Sequence, residues 1–394
     1  AGDARASERL TRRLIRSVLI RQLRLRDFRN YIDAEVQFAP GLNVITGDNG
    51  QGKTSLLEAV YYLCLTKSFK TTEDESAIRF NTSYFDIEGL LARDESSLEN
   101  DEIRLVVHRT EGKSLLVGKK RQDRFSEHIG RFPAVISAPE DVAIVSGAPG
   151  NRRRWLDMAL SQLYPVYLKD LLDYRQALKQ RNALFAATFL RPDLLAVWDR
   201  ELATVGARII RRRLEFVRSF AGWAARVYGE LAVVSEQASV SYKSTIANAD
   251  TINRWCETLP DDQSIAEAMA KTIAENRDRE MMRQTSLIGP HKDELLLLLN
   301  DKAIREFGSQ GQLKTMALAL KLAEFLHMAE RRELQPLLLL DDVFSELDWT
   351  RRHNLIRYLE NAGQVFLTSA DTERDFETKR PIRHFKVING SVSA

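Results

Sequence analysis

The sequence predicts an α/β fold in which buried strands alternate with helices, a helical insertion interrupts the core, and an antiparallel sheet flanks it. Three observations predict it. A glycine-rich loop, Gly47 to Thr54, stands between an apolar run and an apolar helix; a second apolar run, "LLLLDD", ends in Asp341 and Asp342; and after Pro149 the hydrophobic spacing lengthens to that of helices.

Taken in order, the first residues, "AGDARASERLTRRLIRS", are Arg-rich and lack the apolar stretch of a secretory signal, so residues 1–17 read as an extension of uncertain origin. Residues 18–150 form the first part of the core. "VLIRQLRLRDFRNYIDAEVQF" alternates apolar and polar residues as a half-buried antiparallel pair does, and it leads into a strand over Leu42 to Thr46. "YFDIEGLLA", "EIRLVVHRT" and "KSLLVGKKR" continue the alternation and extend an antiparallel sheet beside the core. Residues 151–285 form an inserted lobe, helical from Arg152 to about Ile246, looser over "NADTINRWCETLPDD", and helical again through "SIAEAMAKTIAENRDREMM". The period is 3.6 without a sustained heptad, which excludes a long coiled-coil arm. Residues 286–394 resume the core with the strand "DELLLLLN", the helix "SQGQLKTMALALKLAEFLHMAERREL", the strand "PLLLLDD", the helix "TRRHNLIRYLEN", and the strands "QVFLTSAD" and "HFKVING".

The glycine-rich loop is Gly47-Asp48-Asn49-Gly50-Gln51-Gly52-Lys53-Thr54, followed by Ser55, and it fits the P-loop pattern in its proper strand-loop-helix setting. Gly47, Gly50 and Gly52 bring backbone N–H groups close to phosphate oxygens, and the helix start adds its dipole. Lys53 is predicted to lie along the β- and γ-phosphates and to be catalytic in that sense; the Thr54 hydroxyl is predicted to ligate Mg²⁺. ATP and Mg²⁺ are thus the expected cofactors.

Asp341 and Asp342 close a buried strand. A P-loop fold places a Mg²⁺-associated acid at the end of a neighbouring strand, so Asp341 is expected at the metal and Asp342 nearer the attacking water, as the second catalytic residue. The distance along the chain from Lys53 to Asp341 requires the nucleotide fold to be split by the insertion. A third element, Ser309, Gln310, Gly311 and Gln312, starts a long helix. Alone it reads as an ordinary N-cap; beside the other two motifs it reads as the signature loop of an ABC-type ATPase, which reaches the γ-phosphate held by a second subunit.

At 394 residues, with 44% hydrophobic and 29% charged content, the chain is long enough for two domains and a large core. A net charge of +3 is weak evidence for a nucleic-acid partner, because local patches decide. The two cysteines, Cys64 and Cys256, suggest neither a disulfide framework nor a thiolate metal site and fit a reducing cytoplasm. No run reaches the roughly 18 apolar residues of a membrane span, so no membrane association is expected. The six histidines show no metal-ligand spacing, and His291 in "GPHKD" reads as structural in preference to a part of the nucleotide-sensitive interface.

Over essentially everything from Val18 onward the chain resembles the RecF family of bacterial recombination mediators, related to the heads of SMC-type ATPases. The resemblance rests on "PEDVAIVSGAPGNRRRWLD" (Pro139 to Asp157) and "LLDDVFSELDWTRRHNL" (Leu339 to Leu355), with "LRDFRNY", "LIGPHKDEL" and "SQGQLK" agreeing in wording and order. It implies an ABC-ATPase-like, SMC-head-like P-loop domain with an antiparallel β-subdomain and an inserted helical lobe. It also implies an ATP-dependent homodimer, weak ATP hydrolysis that releases the dimer, and binding to single- and double-stranded DNA at gaps or junctions. RecR is the implied partner, with RecO and RecA in the pathway and RecA loading as the outcome. By the same resemblance Asp348 belongs to a loop that crosses the dimer interface.

Where transporter ATPases place Glu after the metal-associated Asp, this chain has Asp342, and where they place a switch His it has Thr368 and Ser369; slow turnover is therefore expected. Candidate DNA contacts are Lys67, Lys70, Arg152, Arg153 and Arg154, with further basic runs at Lys119 to Arg121, at Arg208 and at Arg211 to Arg213. The alternative is an ABC-type ATPase subunit of another SMC-like or transport complex, which calls for heptad arms or a switch His that the sequence lacks.

Overall fold

The computed structural model describes residues 16–95, 99–187, 191–232, 236–370 and 378–394, in two compact units. One draws on residues 1–141, 230–233 and 318–394, the other on 142–229 and 234–317. Residues 1–15, most of the expected extension, lie outside the described residues. The second unit therefore takes in the "DELLLLLN" strand and the signature segment, which the sequence reading grouped with the C-terminal part of the core.

The first unit opens with β1 (Arg16–Ser17), β2 (Leu19–Phe28), β3 (Tyr31–Gln37) and β4 (Leu42–Thr46), and the P-loop leads from β4 into helix α1 (Lys53–Leu65). Next come β5 (Tyr84–Ala92), β6 (Asp101–His108), β7 (Gly112–Val117), β8 (Lys120–Arg121) and β9 (Ala134–Ser137). The alternating segments pair as expected into an antiparallel sheet of order β3-β2-β5-β6-β7-β8. Its apolar alternates, such as Leu23, Leu25, Ile87 and Leu105, are fully buried. The edge-to-face cluster of Phe28, Tyr62 and Phe85, with ring centroids 5.1 to 5.9 Å apart, locks α1 onto this sheet. Arg16 and Ser17 belong to the fold rather than to an extension: they pair in parallel with Leu334 and Gln335.

The second unit carries α2 (Val142–Ser146), α3 (Pro149–Leu163), α4 (Pro165–Phe185), most of α5 (Pro192–Ala232), β10 (Ala238–Lys243), α6 (Ala249–Thr258), α7 (Asp262–Glu275), α8 (Arg277–Arg283), β11 (Glu294–Leu299), β12 (Lys302–Ala303), α9 (Ile304–Phe307) and the start of α10 (Gln310–Arg332). Three features depart from the sequence reading. "ASVSYK" is a strand, antiparallel to β11. The looser segment contains α6, because the Asn248 side chain caps Thr251 N at 2.9 Å. The helix after it is two helices, α7 and α8, broken at Asn276. The lobe buries Trp155 against Phe216 and Phe220.

The chain returns to the first unit within α10 and continues through β13 (Leu334–Gln335), β14 (Leu337–Asp341), α11 (Trp349–Glu360), β15 (Val365–Ser369), β16 (Ile382–Ile388) and β17 (Ser391–Ser393). These complete a sheet of order β17-β16-β4-β15-β14-β9. It is parallel from β16 to β9, and its middle strands are apolar runs with both faces covered, Leu337 to Leu340 being wholly buried. β9, a four-residue parallel edge strand, was not anticipated. The sequence predicts the acidic strand beside β4; instead β15 lies between β4 and β14.

Candidate nucleotide-binding site

The phosphate loop is shaped by backbone that other residues cannot imitate. Gly47 has φ +147°, and a Cβ there would stand 2.4 Å from the carbonyl oxygen of Val387. Gly52 has φ +120° and faces the Asn30 amide and the Tyr31 hydroxyl, which a Cβ would meet at 2.7 and 3.0 Å. Asn30 Nδ2 donates to Gln51 O at 2.6 Å and Tyr31 Oη to Gly52 O at 3.0 Å, so the β2–β3 hairpin braces the loop. From the other side Asn389 N donates to Gln51 Oε1 at 2.6 Å and Gly390 N to Gln51 O at 3.1 Å. Asp48, Asn49 and Gly50 form the exposed tip, and Ser55 is half-buried on the first turn of α1.

The start of α1 carries no side-chain cap, which leaves its first N–H groups to a ligand. Lys53, only 7% exposed, folds its ammonium back onto the carbonyls of Gly47 at 2.5 Å and Asp48 at 3.0 Å. These carbonyls hold the cation inside the loop. Thr54 Oγ1 donates to Asp341 Oδ1 at 2.8 Å, so the two residues expected at the metal meet. A hydroxyl and a carboxylate are hard oxygen donors of the kind Mg²⁺ takes. Burial raises the Asp341 pKa, opposed by hydrogen bonds from Thr368 and Thr54 and by the charge of Lys70, while Glu140 adds to the rise.

The interposed strand β15 contributes Thr368, whose hydroxyl donates to Asp341 Oδ1 at 2.7 Å and accepts from Asp342 N at 2.9 Å. Asp342 takes the left-handed conformation, φ 51°, and its carboxylate accepts from Ser345 Oγ at 3.0 Å. Thr368 thus orders both acids. Its partners were not legible because they are set by strand order. Asn30 and Tyr31 were also missed as braces of the loop, although both lie in the quoted motif "LRDFRNY".

Ser309 and Gln312 form a reciprocal capping box at the start of α10. Ser309 N donates to Gln312 Oε1 at 2.7 Å, Gln312 N donates to Ser309 Oγ at 3.3 Å, and Gln312 Nε2 reaches Glu236 Oε1 at 2.7 Å. Gln310 and Gly311 are exposed, with open space where a Gly311 side chain would project. Asp348 caps α11, accepting from Arg351 N at 2.9 Å.

Among the candidate DNA contacts, Lys67, Lys70 and Arg154 are exposed. Arg154 lies on α3, and the loop of Lys67 and Lys70 is fixed: the Ser68 hydroxyl donates to the buried Glu58 of α1 and accepts from Lys70 N at 2.9 Å, while Arg29 grips Glu58 with two hydrogen bonds at 2.9 and 2.7 Å. Arg152 must be withdrawn as a DNA contact. It is 4% exposed, pairs with Glu294 at 2.5 Å and donates to the carbonyls of Ile144, Val145 and Gly147 at the end of α2. Arg153 donates to Asp293 O at 2.9 Å. Of the further basic runs, Arg208 pairs with Asp170, Arg212 with Glu215, and the buried Arg213 with Asp157; Lys119, Lys120 and Arg121 are exposed at the β7–β8 turn.

His291 is structural, as expected. Tyr174 Oη and Ser286 O hold its two ring nitrogens at 2.7 and 3.1 Å, and burial lowers its pKa to about 4, so the ring is neutral, donating to Ser286 and accepting from Tyr174. Cys64 and Cys256 are both unpaired thiols. No metal-ligating cluster of His, Cys, Asp and Glu and no helix long and apolar enough to cross a membrane occurs among the described residues.

Comparisons with known proteins identify the family. The family model for the RecF/RecN/SMC N-terminal domain matches residues 19–392. The chain is 38% identical over 365 residues to the DNA replication and repair protein RecF of Chloroherpeton thalassium, covering 91% of this chain and 96% of that one. It is 36% identical over 380 residues to RecF of Bacillus mycoides, covering 95% and 98%. A solved structure of the recombination mediator protein RecF with ATP, from the RecFOR pathway, superposes with a TM-score of 0.86 at 29% identity over 96% of this chain and 97% of that one. An Smc head bound to the C-winged helix domain of ScpA shares the fold, with a TM-score of 0.54 at 14% identity over 95% of both chains. The split α/β core, its phosphate loop and acidic strand, and this extent of similarity place the chain in the RecF family.

Proposed function

We propose that this chain is an ATP-dependent DNA-binding recombination mediator of the RecF type. ATP binds at Gly47 to Ser55; Lys53 holds the β- and γ-phosphates; Thr54 and Asp341 hold Mg²⁺. When bound, Mg²⁺ neutralises charge on the phosphates. Asp342 orients or deprotonates the attacking water, and Thr368 positions both acids. Ser309 to Gln312 of one copy complete the site of a second, with Asp348 at the same interface, so ATP joins two copies and hydrolysis releases them. The dimer engages DNA at gaps or single-strand/double-strand junctions through Lys67, Lys70 and Arg154, acts with RecR and RecO, and helps load RecA in the cytoplasm.

The observation that carries this reading is the Thr54–Asp341–Thr368 chain, which brings the metal-binding residues of two distant motifs into hydrogen-bond contact beside Lys53. Asp342 supports slow turnover. Its carboxylate is one methylene shorter than Glu and already accepts from Ser345, so it reaches water less well. Turnover below about 10 s⁻¹ is expected, and a faster rate overturns that part of the reading. The main test is fluorescence anisotropy on a gapped duplex at fixed salt with ATP, with ADP and without nucleotide. ATP should tighten binding and Lys53→Ala should abolish the gain; nucleotide-independent binding would remove the gate.

A further inference from the structure

The second unit holds a cavity of about 400 Å³ on the outer side of the β10-β11-β12 sheet, a volume typical of ligand sites. Its floor runs against the usual alternation. Along β11 the odd residues Leu295, Leu297 and Leu299 are buried, and on the opposite face a solvent-facing strand ordinarily carries polar groups; here Leu296, 37% exposed, and Leu298 stand there instead. Ala303, opposite Leu298 in register, and Val145 extend this apolar floor.

The rim has the opposite character. Lys243, Lys292 and Arg305 line it, are exposed, and make no ion pair among the described residues. Lys243 is directly across the ladder from Glu294, the natural acid partner, but Glu294 is engaged by the buried Arg152 at 2.5 Å. Glu306 is the remaining acid on the rim. An apolar floor under uncompensated cations suits a ligand that is anionic at its edges and apolar in its middle. We propose that this cavity is a docking site for an acidic peptide segment of a partner protein, with a leucine-, isoleucine- or phenylalanine-sized side chain seated on Leu296 and Leu298 and flanking Asp or Glu residues held by Lys243, Lys292 and Arg305. Nucleic acid fits less well, because a hydrated phosphate backbone gains nothing from the exposed Leu296 and the half-buried Leu298, whereas their burial under a side chain is favourable.

The test is an array of octapeptides carrying one Leu, Ile or Phe among Asp and Glu, beside matched sets with Lys replacing the acids or Ala replacing the apolar residue. It is probed with the full chain, with the Lys243→Glu, Lys292→Glu double variant and with Leu296→Asp; the best peptide is then titrated by anisotropy with single-stranded DNA as competitor. The acidic-apolar set should be retained at least about tenfold over both control sets, and each variant should lose about tenfold or more in affinity while keeping the parent melting temperature. Because Lys243 and Lys292 are exposed, the charge-reversal variant tests the site even where Leu296→Asp fails to fold. Equal retention of the acidic-apolar and acidic-alanine peptides, absence of retention, survival of binding after charge reversal, or full displacement by DNA each overturns the proposal.

Discussion

Two helix N-termini that the proposed function assigns to phosphate, those of α1 and α10, are built in opposite ways. At α1 no side chain caps the helix; Lys53 is drawn into the loop, and the loop's shape is imposed from outside by Asn30, Tyr31 and residues 387–390. At α10 the end is closed by its own side chains, Ser309 and Gln312 bonding reciprocally. A terminus with unsatisfied donors binds phosphate without rearrangement. One with a capping box must exchange an internal hydrogen bond for a ligand contact, so its affinity alone should be low; under the proposed function it acts when a second copy presents nucleotide.

The contrast is broken most severely at the acids beside the open terminus. Asp342→Asn should reduce ATP turnover by about 10²- to 10⁴-fold with ATP affinity nearly unchanged, checked by single-turnover kinetics beside a binding titration. Lys53→Ala removes charged hydrogen bonds of roughly 1.5–3 kcal/mol and should weaken ATP binding by about 10- to 100-fold. If ATP affinity survives, the inward-turned lysine is a brace for the loop and not a phosphate contact.

Acid should act on both units through buried neutral histidines. Burial lowers the pKa of His291 to about 4, with Lys292, Arg153 and Arg181 adding to the drop, and burial together with Arg331 lowers His327 to about 4. Because each folded pKa lies below the unfolded value of about 6.5, the unfolded state binds more protons between these values, and stability falls as pH falls through that window. The His291 contribution should be about 1.5 kcal/mol lost between pH 6.5 and 5, read from urea midpoints of parent and His291→Gln. A pH slope identical in the two chains would mean that His291 is exposed to protons in the folded state. The smallest effect is expected at the closed terminus. Ser309→Ala should cost about 1 kcal/mol of stability and leave monomeric ATP binding intact, while weakening ATP-driven association measured by sedimentation. Loss of monomeric ATP binding would erase the distinction between the two ends.

The parts of this molecule that were legible in the sequence are those encoded locally. The phosphate loop, the acidic strand and the alternating hairpins announce themselves in short windows, because glycine φ, strand period and helix caps are properties of neighbours. What escaped depends on partners far along the chain. "AVIS" is too short to read as a strand until β14 lies beside it, and Thr368 gains its role because β15 is inserted between β4 and β14. Arginine runs were the least legible: Arg152, Arg153 and Arg154 look alike in sequence, yet the first is buried in an ion pair, the second bonds a carbonyl and only the third is exposed. Position on α3 decides among them, and composition does not.

The contact between Gly47 and Val387, with the bonds from Asn389 and Gly390 to Gln51, has a consequence for how the protein is made. The phosphate loop emerges from the ribosome early, but the strands β15 and β16 that flank β4, and the Val387, Asn389 and Gly390 contacts on one side of the loop, are translated more than 300 residues later. A nascent chain that has reached only the helical lobe carries the complete loop sequence with the Asn30 and Tyr31 side of its mould but without the side formed by residues 387–390. Under the proposed function, nucleotide capture should therefore wait until synthesis is nearly finished, which would keep partial chains from joining one another through ATP.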